Sequence, residues 1–480
     1  MPSIIDEQLK AIGVAQVLVV LKSPPPPSAG ASRGVAAGGV ALTAAAASAP
    51  SLAGMENYFT QSELSQGHAL AMAGLSNVSA GFSASTRSAA PTRRGKTAPA
   101  VLHFPNLGVM LGTVNRQGLA GLRADERVES VSGTQQPSLI RPVKVAAATL
   151  TTKTTWGIEF LQVPRLWQQG LTGKGIRVGH LDTGVDGKHP ALKAAIASFA
   201  EFDSLGSQIK PVPKPHDTGE HGSHTAATIA GRAVKNQAVG VAPEAMLASA
   251  IVIEGGDVVA RILGGMDWAI TQDVRVLSMS LGLRGLLEFF LPVTQIIRAR
   301  NILPVFAVGN EGIATSRSPG NYVEALSVGA NDSAGRVADF SSSQRFLRNT
   351  DPLVPDLVAP GVDVISAKPG GGFQLMSGSS MATPHVAGLA ALLFQAKPTA
   401  SVAEVENAIF GSCTLGSVTP ARGNRGVPNA VRALAALTGT VLGATKGTAV
   451  KPGKKAGKKV AAKKPGKGKS KAGTKKSSKK

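Results

Sequence analysis

The sequence predicts an α/β protein with three layers around a mostly parallel central sheet, preceded by a small α+β unit of ferredoxin-like type. Three observations carry that expectation. Across residues 151–437 apolar strands alternate with helices, the pattern of a parallel sheet covered on both faces. Residues 381–393 are small or apolar on every side, so a helix there belongs inside a large domain. A chain of 480 residues that is 43% hydrophobic is long enough to bury such a core.

Residues 1–140 read as the small unit. Residues 14–22 form a strand by their β-branched content, and residues 107–114 form a second. Asn115 then caps a short helix over 117–125, and 128–131 is a last strand. Two inserts, at about 23–54 and 76–99, are rich in Pro, Ala, Gly and Ser and cannot build a core. Residues 60–75 between them read as a helix. In the larger domain, 148–437, candidate strands lie at 176–181, 246–251, 274–279, 303–308 and 325–328. The C-terminal ends of such strands are where an α/β sheet places its chemistry.

Charge and thiol content narrow the classes. The net charge of +22 is concentrated in residues 441–480, which hold fifteen Lys and no acid and leave +7 for the rest. That tail, 438–480, reads as disordered; its lysines would bind phosphate backbones without reading sequence, or serve only as a solubilising extension. A single cysteine, Cys413, excludes an intramolecular disulfide and reads as a small buried hydrophobe. Residues 1–10, with Asp6 and Glu7, lack the pattern of a secretory leader, and no run approaches the ~18 apolar residues of a membrane span. The expectation is a soluble, cytoplasmic protein unless a non-standard export route exists.

Four residues at strand ends or helix starts stand out. Asp182 follows a strand and precedes Thr183-Gly184; alone it is ordinary turn chemistry. His221 enters a helix of small residues and could be structural. Asn310 leaves a buried strand beside glycines and could simply form a turn. Ser380 sits where a buried helix starts, among unpaired amides that suit a developing oxyanion, although capping is the commonest task of Ser379 and Ser380 there.

Taken jointly, Leu181-Asp182-Thr183-Gly184-Val185, His221-Gly222-Ser223-His224, Gly240-Val241-Ala242-Pro243, Ser278-Met279-Ser280-Leu281-Gly282, Gly309-Asn310-Glu311-Gly312 and Gly378-Ser379-Ser380-Met381-Ala382-Thr383-Pro384-His385 resemble the subtilisin-like serine peptidases over roughly residues 154–437. Subtilisin itself has the order Asp, His, Ser. The resemblance implies a serine endopeptidase acting on proteins or peptides. Ser380 would attack, His221 would serve as base and then acid, Asp182 would orient His221, and Asn310 would hold the oxyanion. Ser280, Leu281 and Gly282, with Ala307, Val308 and Gly309, would bound the first specificity pocket, and Gly255 and Gly256 would pair with substrate from the other side. His224 and His385 match structural positions; His180 and His189 are expected to be solvated or capping, and Asp186 and Asp217 to be loop residues.

Departures from the family pattern carry expectations too. Ser379 and Ser223 stand where threonines are usual and keep the hydroxyl. The loop 232–238 has the length of the family's calcium loop, but Val234 stands where a side-chain oxygen is needed, so no metal is assigned. A short segment after Asn310 brings Arg317 near the base of the first pocket, where it would favour acidic residues; an exposed loop arginine is the plainer alternative. The first 140 residues resemble the family's inhibitory propeptide, implying a self-processed zymogen cut between Gly133 and Ala148 and an enzyme that works as a monomer. The alternative function is a polyanion or nucleic-acid binder that uses the peptidase domain as a scaffold.

Overall fold

Ser3 accepts a hydrogen bond from the Asp6 amide and Asp6 accepts in return from Ser3, a reciprocal cap that starts helix α1 (Ile4–Ile12). Gly13 ends the helix in the left-handed conformation that glycine adopts without steric cost. The helix stands where the sequence reading notes only the lack of a leader pattern. Strand β1 (Ala15–Leu21) follows, then β2 (Val101–Phe104), β3 (Val109–Val114), helix α2 (Arg116–Ala124) and β4 (Val128–Gly133). Asn115 caps α2 as expected. The strands form an antiparallel sheet in the order β2-β3-β1-β4.

β1 is buried along its whole length because its two faces serve two cores. Val17, Val19 and Leu21 pack with Ile5, Leu9, Leu119 and Leu122 of the helices. Leu18 and Val20 point the other way, into a core shared with the larger domain. The chain then passes through β5 (Ser138–Leu139) and β6 (Lys144–Ala148).

The computed structural model describes residues 3–22, 52–60, 101–203, 205–253, 255–440 and 442. The expected helix over 60–75 (beyond its first residue), nearly all of the two inserts, and the Lys-rich tail after residue 442 lie outside these residues. Met1–Val441 form one unit, and Leu442–Lys480 separate from it as another.

The larger domain carries β7 (Arg177–Asp182), β8 (Ile196–Glu201), α3 (His221–Ala230), β9 (Met246–Ile251), α4 (Val258–Thr271), β10 (Val276–Met279), β11 (Leu281–Arg284), α5 (Leu291–Ala299), β12 (Leu303–Ala307) and β13 (Arg317–Ser318). It continues with β14 (Leu326–Asn331), β15 (Leu357–Pro360), β16 (Val364–Ala367), β17 (Phe373–Ser377), α6 (Ser379–Ala396), α7 (Val402–Ser412) and α8 (Ala430–Thr438). Seven strands make one parallel sheet in the order β15-β14-β12-β10-β7-β9-β8, covered by helices in the three-layer α/β arrangement that the sequence predicts. α6 is buried over its first sixteen residues, as an all-round apolar helix must be. Among the described residues no helix is long and apolar enough to cross a membrane.

Residues 138–148 cross the edge of this domain and pair twice. β5 pairs antiparallel with β11, and β6 with β17. The N-terminal sheet docks on α4. Asp267 accepts from the Asn106 and Leu107 amides at 2.7 and 3.1 Å. Gln136 accepts from the Val258 amide at 2.9 Å, occupying the free donors at the helix start. Asp257, which caps the helix, accepts from Gln16 and Gln136.

Candidate active site

Asp182 ends β7 at the C-terminal rim of the sheet, 1% exposed. One carboxylate oxygen accepts from the Thr183 amide at 2.7 Å, and the two oxygens lie 2.8 and 3.0 Å from His221 Nδ1. Burial pushes this carboxyl up, but the His221 ring, its hydrogen bond and His180 outweigh burial and hold it below the ordinary carboxylate range. His221 opens α3, brought there by a close contact that only glycine permits. A Cβ on Gly222 would lie 2.1 Å from the Gly184 carbonyl oxygen. Thr183 Oγ1 accepts from the Gly222 amide, and Asp217 accepts from Thr183 Oγ1 and from the Ser223 amide. Asp217 therefore builds the loop, as expected. Asp186 does likewise, accepting from the Lys188 and Gly370 amides.

Ser380 is fully buried in the first turn of α6. Neither serine caps that helix: Gly378 is the cap residue and no side chain closes it. The Ser380 hydroxyl donates instead to the Ile140 carbonyl at 2.6 Å. His221 Nε2 is buried and has no hydrogen-bond partner among the described residues. The structure thus joins Asp182 to His221 and directs the Ser380 hydroxyl to residue 140. Asn310 follows Gly309, whose φ of +121° requires glycine. Its side-chain oxygen accepts from the Ser379 amide at 2.8 Å, which aims Nδ2 outward to the Arg141 carbonyl at 2.9 Å.

The walls assigned from the sequence border the same place. Leu281 faces Leu139 and Gly282 faces Ser138 in the β11–β5 ladder, and the Ile140 amide donates to the Ser280 carbonyl at 3.1 Å. Opposite, the Val308 carbonyl accepts from the Arg317 amide at 2.9 Å. Gly255 and Gly256 both take positive φ near the start of α4, and among the described contacts neither pairs with residues 138–148.

His180 corrects the sequence reading, and His189 keeps only its capping alternative. His180 is neither solvated nor capping: it is 1% exposed, between Ser249 Oγ and Thr225 Oγ1 at 2.9 Å each, with Nε2 3.9 Å from Asp182. Burial pushes its pKa down. Its position two residues before Asp182 on one strand puts both side chains on one face, which is the signal that could have found it. Thr225 completes the contact, donating to Asp182 at 3.2 Å. His189 is also buried, near the Gly372 carbonyl at 2.8 Å, and accepts from the Ala191 amide. His224 and His385 are packed as expected, against the Val364 and Met381 carbonyls at 3.0 and 2.8 Å.

The loop 232–238 presents donors where a calcium ion needs oxygens. Gln237 Nε2 donates to the Leu150 and Thr152 carbonyls at 2.6 and 3.2 Å. The Arg232 guanidinium donates to the Ala230, Ala245 and Ala194 carbonyls.

Comparison with known proteins meets this geometry. The family model of the subtilase family of peptidases matches residues 173–433. The chain is 40% identical over 247 residues to an intracellular serine protease of Paenibacillus polymyxa, covering 50% of this chain and 72% of that protein. It is 36% identical to subtilisin BL of Lederbergia lenta, over 55% of this chain and 92% of the relative. With subtilisin E of Bacillus subtilis the identity is 35%, over 54% and 66%. A parallel sheet with an Asp–His pair and a buried serine at its rim, together with a family match over half the chain, makes this protein a member of the subtilase family, a serine-type endopeptidase.

Proposed function

We propose that Asp182, His221 and Ser380 form the catalytic triad, that Asn310 with the Ser380 amide holds the oxyanion, and that residues 1–148 keep the enzyme as a zymogen. The observations that carry this reading are the Asp182–His221 pair with Nε2 left unpartnered, and a buried serine whose hydroxyl already meets a peptide carbonyl. Asp182 accepts from Nδ1–H, so His221 keeps Nε2 bare as the acceptor a general base needs. Leaving that atom unpaired and buried costs about 1–3 kcal/mol, a cost removed when Ser380 turns to donate to it. Ser380 then attacks the carbonyl, Nε2 takes its proton and delivers it to the leaving amine, and the Asn310 amide group stabilises the oxyanion.

The bound segment is held out of register for that reaction. The serine meets the carbonyl of Ile140 while Asn310 meets that of Arg141, whereas attack requires both at one carbonyl. Residues 138–141 therefore occupy the substrate groove as an inhibitor, anchored by the sheet of residues 15–133 on α4. Peptides would bind in the same groove after the segment leaves. Calcium is given no part, because Val234 brings no side-chain oxygen and the Gln237 and Arg232 side chains are engaged as donors to carbonyls outside the loop, those of Leu150 and Ala245.

The test is labelling of the processed protein by a fluorophosphonate, followed by the mass of its N-terminus. Labelling lost in Ser380→Ala, with a new start beyond residue 133, is expected. Processed protein that never labels would remove the triad assignment.

A further inference from the structure

Arg317 begins β13 and is only 6% exposed, although the sequence allows it to be a solvated loop residue. Its stem runs between the two pocket walls. A Cβ on Gly282 would lie 3.4 Å from Arg317 Cβ, and one on Gly309 would lie 3.2 Å from its Cγ. The guanidinium is fixed on one side by Glu311, which accepts from Nε at 2.9 Å and from Nη2 at 2.5 Å. On the other side Nη1 donates to the Gly282 carbonyl at 3.2 Å and to Ser138 Oγ at 2.8 Å. Ser138 belongs to the segment lying in the groove, two residues before Ile140. Arg317 is thus a side chain of the larger domain, already immobilised, whose free end reads a side chain of the bound strand.

We propose that Arg317 selects an acidic side chain in the bound peptide at the place Ser138 occupies. This moves the acidic preference away from the base of the first pocket, where Glu311 already occupies the guanidinium. A carboxylate in place of the Ser138 hydroxyl makes a charge-assisted bond to Nη1, roughly twice as strong as a neutral one. Local charge permits it: Glu311 is one carboxylate against two guanidiniums, Arg317 and, at 3.7 Å, Arg284. Because Glu311 and the glycine walls hold Arg317 in advance, little side-chain freedom remains to be lost on binding. A lysine at the same place meets a fixed positive charge and is rejected.

The inference rests on residues 138–141 marking where substrate lies, so its test has one arm that needs no catalysis. In the full chain carrying Ser380→Ala, hydrogen exchange of the amides of residues 138–141 and 143 is compared for Ser138→Asp and Ser138→Lys. Protection is expected to rise about tenfold with Asp and fall with Lys. Both effects should vanish when Arg317→Ala is combined with Glu311→Gln, a pair that leaves neither charge buried alone. The second arm profiles the processed enzyme on a peptide library, where Asp and Glu should be favoured about tenfold over Lys at that position, and not in the double variant. Responses to Ser138 charge that are the same with and without Arg317 would overturn the proposal, as would a flat profile from an active enzyme. Coupled protection in the Ser380→Ala chain, together with a processed parent enzyme that cuts no peptide, would instead count against the triad assignment and leave recognition by Arg317 standing.

Discussion

His221 is held by one nitrogen and idle at the other, and that asymmetry sets what single substitutions do. Asn310 is the sharpest case, since its two side-chain atoms have separate tasks: the oxygen accepts from Ser379 and the nitrogen serves the groove. Asn310→Leu removes the donor while keeping most of the bulk. In subtilisin the loss of such a donor costs about 10²–10³ in kcat, and the same drop with KM little changed is expected here. Gly222→Ala should be worse, because its Cβ would meet a backbone oxygen at 2.1 Å and neither partner can move without displacing His221 or Asp182. Activity should fall below detection while circular dichroism retains the helical signal. At this scale the sequence was most legible for placement: Asp182 stands at a strand end and His221 and Ser380 at helix starts, where residue type and spacing put them. It was least legible for His180: sharing a strand face with Asp182 is its one local mark, while its partners Ser249 and Thr225 come from a neighbouring strand and a helix.

Elements were readable in proportion to how local their causes are. β9 lies at its expected residues and β7, β10, β12 and β14 within about three, because continuous apolar runs report burial directly, whereas β8 and β15 of the same sheet were not anticipated. β5 and β6 left no such trace. Exposed alanines and valines such as Val145 become strand only by pairing with Met376, more than two hundred residues away. The loop 232–238 shows the reverse: one residue, Val234, speaks against calcium, but the replacement by Gln237 and Arg232 needs coordinates to be seen. That replacement predicts chelator insensitivity. Excess EDTA should leave the melting temperature of the full chain unchanged, whereas Gln237→Ala should lower stability by about 0.5–1.5 kcal/mol by removing the donor to the Leu150 and Thr152 carbonyls. A melting temperature that falls on chelation would show that the loop binds metal after all. The docking of the N-terminal sheet has its own key element, α4. Asp267→Ala removes the acceptor of two amides and should speed release of residues 1–133, read as earlier autoprocessing.

At the scale of the whole molecule, burying histidines under the sheet makes stability depend on pH. Burial pushes His224 down to about 3 and His385 down to about 4, both well under the 6.5 of the unfolded chain. Below pH 6.5 the unfolded state gains protons that these folded sites refuse, so stability is full above that pH and is lost as pH falls toward 4. His180 leans the same way. Asp356 opposes them: burial pushes its carboxyl up to about 7, so the folded chain takes a proton there that the unfolded chain does not, and stability rises as pH falls from 7 toward 3.8. Two refused protons against one accepted leave a net loss of stability as pH falls from 6 to 5, with His180 adding to it. The balance can be tilted either way. Asp356→Asn should steepen the fall of the urea midpoint between pH 6 and 5 by about one proton's worth, and His385→Gln should flatten it by the same amount. If both variants kept the slope of the parent chain, the dependence would have to come from elsewhere, with the docking surface of Asp267 and His103 on α4 the next place to look, since burial pushes that carboxyl up and that imidazole down.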